Sequence, residues 1–197
     1  MNQKTYLKIP RDRVGALIGP KGKAKRRIER YFGVTLEIDS ESGAVEITVN
    51  PENSNVTSSF TVRNVVKAIG RGFSPQRAEI LAKEDFDLHI IYLDEFVGDS
   101  KNTIKRVKGR IIGKNGRSRE LIEEITETRI SVYGGTIAYI GSPEGLEAAR
   151  EAIMRLIKGS FHKTVWNYLY AWRRKMKKDK GELWYEKPGQ KADLRKR

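Results

Sequence analysis

The chain has 197 residues, 38% of them hydrophobic, and its 39 lysines and arginines against 25 acidic residues give a formal charge of +14. The absence of cysteine excludes disulfides and thiolate metal sites, and no apolar run approaches the roughly 18 residues of a membrane span. We therefore expect a cytoplasmic protein without cofactor, metal or membrane contact, whose partner is polyanionic, although a charge-rich, heat-adapted surface would also explain the charge.

The first part of the chain predicts the element order β-α-α-β-β-α. Alternating apolar and polar residues indicate its strands, and apolar residues three and four positions apart indicate its helices. The predicted elements are a strand at 5–9, helices at 13–17 and 23–32, strands at 34–39 and 45–49, and a helix through 62–69. We expect Asp12 to cap the first of these helices.

Residues 70–85 predict the join between two domains. Gly70 ends the preceding helix, and Ser74 and Pro75 supply an N-cap and a first-turn proline for a short linker helix at 76–83.

The second part of the chain repeats the same order. Its first strand, at 86–93, is more apolar than its counterpart, so we expect it to be an interior strand of its sheet. An insertion at 94–102 follows. The later predicted elements are hairpin strands at 129–133 and 136–140, a helix starting at Ser142 and Pro143, and a basic helix that Ser160 would cap. Helical spacing predicts that this basic helix has an apolar seam, formed by Val165, Leu169, Trp172 and Met176.

Two glycine pairs stand 94 positions apart, Gly19 with Gly22 and Gly113 with Gly116, and apolar residues around them keep the same offset. Each pair lies between two predicted helices, where free backbone N–H groups at a helix N-terminus favour a phosphate. The duller alternative is that the glycines only end helices. The spacing excludes both the P-loop and the dinucleotide-binding fingerprint.

These patterns predict an α+β chain with two similar domains, each a three-stranded antiparallel sheet packed on helices, and an extra C-terminal helix. The predicted segments are a first domain at 1–72, a linker helix at 73–85, a second domain at 86–159, a basic helix at 160–178 and a basic tail at 179–197.

The Ile-Gly-x-x-Gly motif in this element order resembles the type I KH domain, present twice over residues 3–158. Three further features narrow the resemblance to one family of KH proteins. They are the run Ile-Gly-Pro-Lys-Gly-Lys at 18–23, the run Gly-Arg-Ile-Ile-Gly-Lys-Asn-Gly-Arg at 109–117 and a basic helix that carries Trp and Tyr. Together they resemble the archaeal KH-domain ribosome-assembly family called partner of Nob, or dimethylase-interacting protein.

The resemblance implies a protein that binds single-stranded RNA, the 3′ region of small-subunit (16S) pre-rRNA, during ribosome assembly. It also implies work beside the Nob endonuclease and a link to the alpha subunit of initiation factor two. A monomer is favoured. The sequence offers no cysteine nucleophile, histidine–carboxylate pair or carboxylate cluster, so we expect no enzymatic activity.

A KH domain holds about four nucleotides, with its glycine loop against the backbone and the bases in an apolar groove. The resemblance assigns RNA binding to Gly19, Lys21, Gly22, Lys23, Arg26, Arg110, Ile112, Gly113, Lys114, Asn115, Gly116, Arg117 and Arg119. It assigns the groove or its floor to Val14, Ile18, Leu36, Ile38, Ile111, Ile130 and Val132. Pro20 removes one amide donor from the first loop and stiffens it, which makes the RNA role of the first loop less secure than that of the second. The sequence does not reveal which of the two domains dominates.

Two other hypotheses stay open. The chain could be a protein-interaction scaffold in ribosome assembly or translation initiation, with only non-specific RNA affinity from its basic tail, or it could be a nuclease. Trp166, Tyr170 and Trp172 could stack on bases, although their helical spacing favours packing.

Overall fold

In this computed structural model, which describes residues 4–49 and 56–184, the chain forms two units followed by a long helix. The first unit consists of β1 (Lys4–Lys8), α1 (Arg11–Ile18), α2 (Lys23–Phe32), β2 (Val34–Ile38), β3 (Ala44–Val49) and α3 (Val56–Gly70). A linker of α4 (Pro75–Ala78) and a 3-10 turn (Glu79–Ala82) leads to the second unit. That unit consists of β4 (Asp87–Tyr92), α5 (Asp94–Val97), α6 (Lys101–Ile112), α7 (Arg117–Thr126), β5 (Arg129–Tyr133), β6 (Thr136–Gly141) and α8 (Pro143–Ile157), and α9 (His162–Trp184) follows it. The predicted element order is confirmed, and the insertion at 94–102 contributes α5.

Side-chain caps start two of these helices where the sequence predicts them. Ser74 Oγ accepts a hydrogen bond from Arg77 N–H at 3.3 Å at the start of α4. Ser142 Oγ accepts one from Gly145 N–H at 3.4 Å at the start of α8. Each serine precedes a proline, whose missing N–H is not needed in the first turn of a helix.

The described strands form two antiparallel three-stranded sheets in the orders β1-β3-β2 and β4-β6-β5. In each sheet the last strand in sequence lies in the middle, so both of its neighbours are held by ladder hydrogen bonds. The buried faces carry residues such as Leu36 and Ile47 in the first unit and Ile130 and Ile137 in the second. These faces pack on α2 and α3 in the first unit and on α7 and α8 in the second.

The prediction that β4 is an interior strand is wrong, because β4 lies at the edge of the second sheet. Its apolar character has another cause: Leu88 and Ile90 on β4, with Ala138 and Ile140 on β6, pack into the core of the first unit. The second sheet is therefore covered on both faces, by its own helices on one side and by the first unit on the other.

Hydrogen bonds fix the two units against each other. Ser131 Oγ donates to the backbone oxygen of Arg71 at 2.9 Å, and the guanidinium of Arg71 lies over the Tyr92 ring at 5.3 Å. A Cβ at Gly72, where φ is +97°, would lie 2.6 Å from Ser131 Oγ, so a larger residue would separate the units.

Asp12 contributes to this junction instead of capping α1, so the prediction that it is the N-cap is wrong. Pro10 stands at the N-cap position without a side-chain hydrogen bond, and Asp12 lies in the first turn of the helix. Its carboxylate accepts a hydrogen bond from the hydroxyl of Tyr133 in the second unit. Burial and this bond raise the pKa of Tyr133.

Helix α9 extends six residues beyond its predicted end and packs on α7 and α8. Val165 and Leu169 are buried and Trp172 packs beside them, as the predicted apolar seam requires. Of the predicted tail at 179–197, the residues up to Trp184 belong to this helix, and 185–197 lie outside the described residues. Among the described helices, none combines the length and the hydropathy that crossing a membrane requires.

Candidate nucleic-acid interface

The second glycine loop joins α6 to α7 through a tight left-handed turn. Gly113 ends α6 by donating its N–H to the Gly109 oxygen at 2.8 Å. Its φ is +73°, and those of Asn115 and Gly116 are +53° and +81°. A Cβ at Gly113 would lie 2.5 Å from the Cβ of Ser118, so this position requires glycine both for its backbone angle and for space.

The first loop follows the same backbone path. The φ angles of Gly19, Lys21 and Gly22 are +70°, +52° and +71°, and a Cβ at Gly19 would lie 2.7 Å from the Cβ of Ala24. Pro20 therefore leaves the shape of the loop unchanged. Its effect is confined to the loss of one N–H donor.

Each loop leads directly into the N-terminus of a ten-residue helix, α2 or α7, and neither helix has a side-chain cap. The first N–H of each helix, that of Lys23 or Arg117, donates to the oxygen of Pro20 or Lys114 in the preceding 3-10 turn. No side-chain cap occupies the N–H groups that follow it, and the helix dipole favours an anion there. The alternative that the glycines only end helices explains how α1 and α6 end. It does not explain why the following helices lack caps.

The predicted basic residues around the loops separate into exposed and engaged side chains. The exposed ones are Lys21, Lys23, Arg26, Lys114 and Arg117, together with the amide of Asn115. Arg26 Nη2 also donates to the Lys21 oxygen at 2.6 Å and so supports the loop backbone. Arg119 is half-buried, with Nε 3.9 Å from Glu123 Oε2. In α7 the exposed Glu120 partly offsets this positive charge.

Arg110, predicted to supply charge to the second site, has a different role in the structure. Its Nε donates to the Leu156 oxygen at 3.2 Å and its Nη2 to the Ser160 oxygen at 2.6 Å. The guanidinium thus caps the C-terminal end of α8, where a cation is favoured, and does not face the loop. In the first unit Arg13 does the same for α3, through bonds of 2.8 and 2.7 Å to the oxygens of Ile69 and Phe73.

Burial divides the predicted groove residues into two groups. Val14, Leu36, Ile111 and Ile130 are at most 4% exposed and belong to the two cores, so they support the groove from below and cannot contact a ligand. The other groove residues, Ile18, Ile38 and Val132, remain partly exposed, and so does Ile112, which the resemblance assigns to RNA binding. In the repeat these residues match in position, with Ile18 and Ile38 paired in the first unit and Ile112 and Val132 in the second. These two pairs form the accessible apolar surface beside the loops.

Two carboxylates that the sequence analysis did not single out hold each groove together. Glu29 Oε1 accepts the N–H of Leu36 at 2.9 Å, and Glu123 Oε1 accepts the N–H of Ile130 at 2.6 Å. These bonds tie the helix after each loop to the strand on the far side of the groove. Because Glu29 and Glu123 stand 94 positions apart, the offset of the glycine pairs could have identified them.

Glu123 also binds the linker, since Arg77 Nη2 lies 2.5 Å from its Oε1. In the described part of the chain, no group of three or more His, Asp or Glu side chains could hold a metal ion. The groups that the loops present are amide donors, cations and a small apolar surface.

Each of the two units matches the model of a known protein family. Residues 87–174 match the model of the second KH domain of PNO1, described as a eukaryotic type KH-domain (KH-domain type I). Residues 4–68 match the KH domain model.

Several known proteins are similar over most of the chain. A KH domain-containing protein of Methanocaldococcus jannaschii is 42% identical over 92% of this chain and 79% of its own length. A protein of unknown function from Aeropyrum pernix superposes with a TM-score of 0.88 at 39% identity, over 93% of this chain and 98% of that one. The solved a/eIF2alpha-aDim2p-rRNA complex from Pyrococcus horikoshii OT3 gives 0.85 at 43% identity, over 89% and 96%.

Eukaryotic relatives are longer and more distant. The RNA-binding protein pno-1 of Caenorhabditis elegans is 31% identical over 72% of this chain, and the pre-rRNA-processing protein PNO1 of Chaetomium thermophilum is 31% identical over 61%. The chain spans about half the length of these two relatives, 52% and 51%.

Proposed function

This chain belongs to the PNO1/Dim2 family of KH-domain RNA-binding proteins, and from that premise we propose that it holds single-stranded RNA through its glycine loops. We further propose that this RNA is the 3′ region of small-subunit pre-rRNA. The rRNA in the Pyrococcus complex and the pre-rRNA processing named for the Chaetomium relative support this choice. The observation that carries the proposal is the second loop, where exposed Lys114 and Asn115 lie between two glycines of positive φ before an uncapped helix.

In this proposal the RNA backbone lies across the second loop. Phosphates accept from N–H groups at the start of α7, and Lys114 and Arg117 neutralise their charge. The neighbouring bases rest on Ile112 and Val132. The first loop offers the same shape with one donor fewer, so we propose that the second site binds more tightly and that the first adds affinity by effective concentration.

The test is the double substitution Lys114→Asp with Asn115→Asp. Its matched control is the same change at Lys101 and Asn102, an exposed Lys-Asn pair at the start of α6. We expect the loop variant to lose more than tenfold affinity for a single-stranded RNA of the 16S 3′ end, because two negative charges replace phosphate contacts. The control variant should bind as the wild type does. Equal binding by both variants, with melting temperatures unchanged, would contradict the proposal.

A scaffold with only non-specific RNA affinity makes the opposite prediction. Deleting residues 185–197 would then remove most RNA binding, and the remainder would not distinguish the 16S 3′ end from an unrelated RNA at moderate salt. Under our proposal the truncated chain keeps its preference. Fluorescence anisotropy with both RNAs separates the two functions.

We also propose that this chain has two protein partners and that it is not itself an enzyme. The Pyrococcus complex supports the alpha subunit of initiation factor two as a partner, and the family resemblance alone suggests the Nob endonuclease. Relatives named as RNA-binding proteins support a role that leaves RNA cleavage to a partner. Labelled RNA incubated with the purified chain and Mg²⁺ should stay intact, and co-purification tests each partner. Cell fractionation tests the proposed cytoplasmic location.

A further inference from the structure

Helix α9 has a second face that the fold does not use. Val165, Leu169 and Trp172 pack inward. On the opposite side, steps of four and three residues place five side chains on one line along the helix axis. All five side chains are exposed: Lys163, Asn167, Tyr170, Arg174 and Lys177. We refer to these five residues as the α9 stripe.

The α9 stripe carries three cations, and only the last of them, Lys177, borders a pocket that acidic side chains also line, those of Glu124, Glu127, Glu144 and Asp179. It contains no Asp or Glu. Within the described residues, none of its three cations makes an ion pair, whereas Arg173, on the neighbouring flank, lies 3.7 Å from Glu124. From Lys163 to Lys177 the helix rises about 21 Å, which is the length of a few nucleotides of extended single strand. The charge therefore suits an extended polyanion.

Among the aromatic side chains of this helix that the structure describes, Tyr170 is the exposed one. Its exposed fraction is 45%, whereas Trp166 and Trp172 pack against the core of the second unit. Arg174 stands one turn further along the same line. An exposed ring beside cations is the arrangement on which bases of single-stranded nucleic acid stack.

Helix α9 begins beside the last turn of α6, the turn that leads into the second glycine loop. The backbone oxygen of Arg110, three residues before Gly113, accepts a hydrogen bond from His162 Nε2 at 2.9 Å. Arg110 itself binds the Ser160 oxygen. Lys163 therefore lies at the loop end of the second unit, and α9 runs from there along α7 to the Arg173–Glu124 pair near the far end of that helix.

We propose that the α9 stripe is a second RNA track, which takes the strand where it leaves the second KH site. Lys163, Arg174 and Lys177 would neutralise its phosphates, and one base would stack on Tyr170. The inference rests on the proposed function, because the strand reaches the stripe from the second loop. An acidic protein would match the charge but would not need the exposed ring, and the continuity with the loop favours RNA.

The test compares two RNAs of the 16S 3′ end, one of six nucleotides that fills a single KH site and one of sixteen that also reaches α9. The variants are Tyr170→Ala and the pair Arg174→Ser with Lys177→Ser. The matched control is Arg63→Ser with Lys67→Ser, which removes the same charges from an exposed face of α3. We expect each stripe variant to lose about fivefold affinity for the long RNA and less than twofold for the short one. The charge pair should also reduce the salt dependence of long-RNA binding.

The outcomes separate this inference from the proposed function. If the wild type binds the short RNA and the stripe variants bind the long RNA as tightly as the wild type, the inference is overturned and the proposed function stands. Equal losses for both RNAs, or equal loss in the α3 control, also overturn it, because the effect would then be general electrostatics. If the wild type binds neither RNA, both proposals fail. Circular dichroism of each variant confirms that α9 is intact.

Discussion

The second loop requires Gly113 and Gly116 for different reasons. At Gly113 a side chain would collide with the first turn of α7, whereas at Gly116 the nearest atom to a Cβ, Glu120 Oε1, lies at 3.5 Å. Both have positive φ. The first glycine therefore lets α6 and α7 approach, and the second provides the left-handed backbone from which α7 starts. The arrangement that would expose N–H groups to RNA is also a requirement of folding.

Gly113→Ala should lower the free energy of unfolding by about 1–3 kcal/mol, because alanine is strained at this φ and its methyl group meets Ser118. Gly109→Ala, four residues earlier and with no atom within 4 Å of its Cβ position, should raise it by about 0.5–1 kcal/mol through helix propensity. Urea denaturation followed by circular dichroism measures both. A change of the same sign in both variants would contradict this account of Gly113.

At the scale of elements, β6 is the most enclosed strand of the molecule as described. Every one of its residues is buried. Ile137 and Tyr139 face the helices of the second unit, and Ala138 and Ile140 face the first unit. The side chains of such a strand are shielded from water, so burial disfavours the ionised form of a titratable group on it.

Burial raises the pKa of Tyr139 to about 12, from an ordinary value of 10. The folded state therefore holds the phenol proton more tightly than the unfolded state. The associated stability is present below pH 10 and is lost as the pH rises towards 12. Between pH 9 and 11 the wild type should lose about 1 kcal/mol more than Tyr139→Phe, which has no proton to release. Urea titrations of both proteins across this range measure the difference, and parallel pH profiles would contradict the prediction.

At the scale of the whole molecule, the two units share a core. Ala138 and Ile140 of the second sheet lie in the same cluster as Val62 and Phe73 of the first unit. The bonds around Arg71 and Tyr133 hold the same junction at its surface. The relative orientation of the two glycine loops is therefore set by packing, and an RNA that reaches both must follow the geometry of the protein.

A substitution at Ile140 tests this shared core, and Thr48, which occupies the same register position in the first sheet, provides the comparison. Ile140 pairs with Leu88 and Arg129, as Thr48 pairs with Lys4 and Thr35. Ile140→Thr should cost about 2 kcal/mol, since it removes buried apolar surface and buries a hydroxyl. The reverse change, Thr48→Ile on the uncovered sheet, should alter stability by no more than about 0.5 kcal/mol. Thermal unfolding compares the two, and equal losses would show that the interface contributes nothing.

The element order and the two loops were predictable because they depend on neighbours in the chain. Glycine pairs, alternating strand residues and the serines before Pro75 and Pro143 determine structure within a few residues, and the glycine pairs with their apolar flanks recur at an offset of 94 residues. The same offset could have identified Glu29 and Glu123, whose bonds cross each groove.

Local sequence patterns were enough to predict the two KH units, their glycine loops and the apolar seam of α9, since periodicity and turn chemistry depend on neighbouring residues. Tertiary structure alone decided that β4 is an edge strand, that Arg110 caps α8, that Asp12 binds Tyr133, and which half of the groove residues reaches the surface. Each of these depends on groups distant in sequence that packing brings together. An apolar or charged residue has the same local pattern whether it faces a core, a neighbouring unit or solvent.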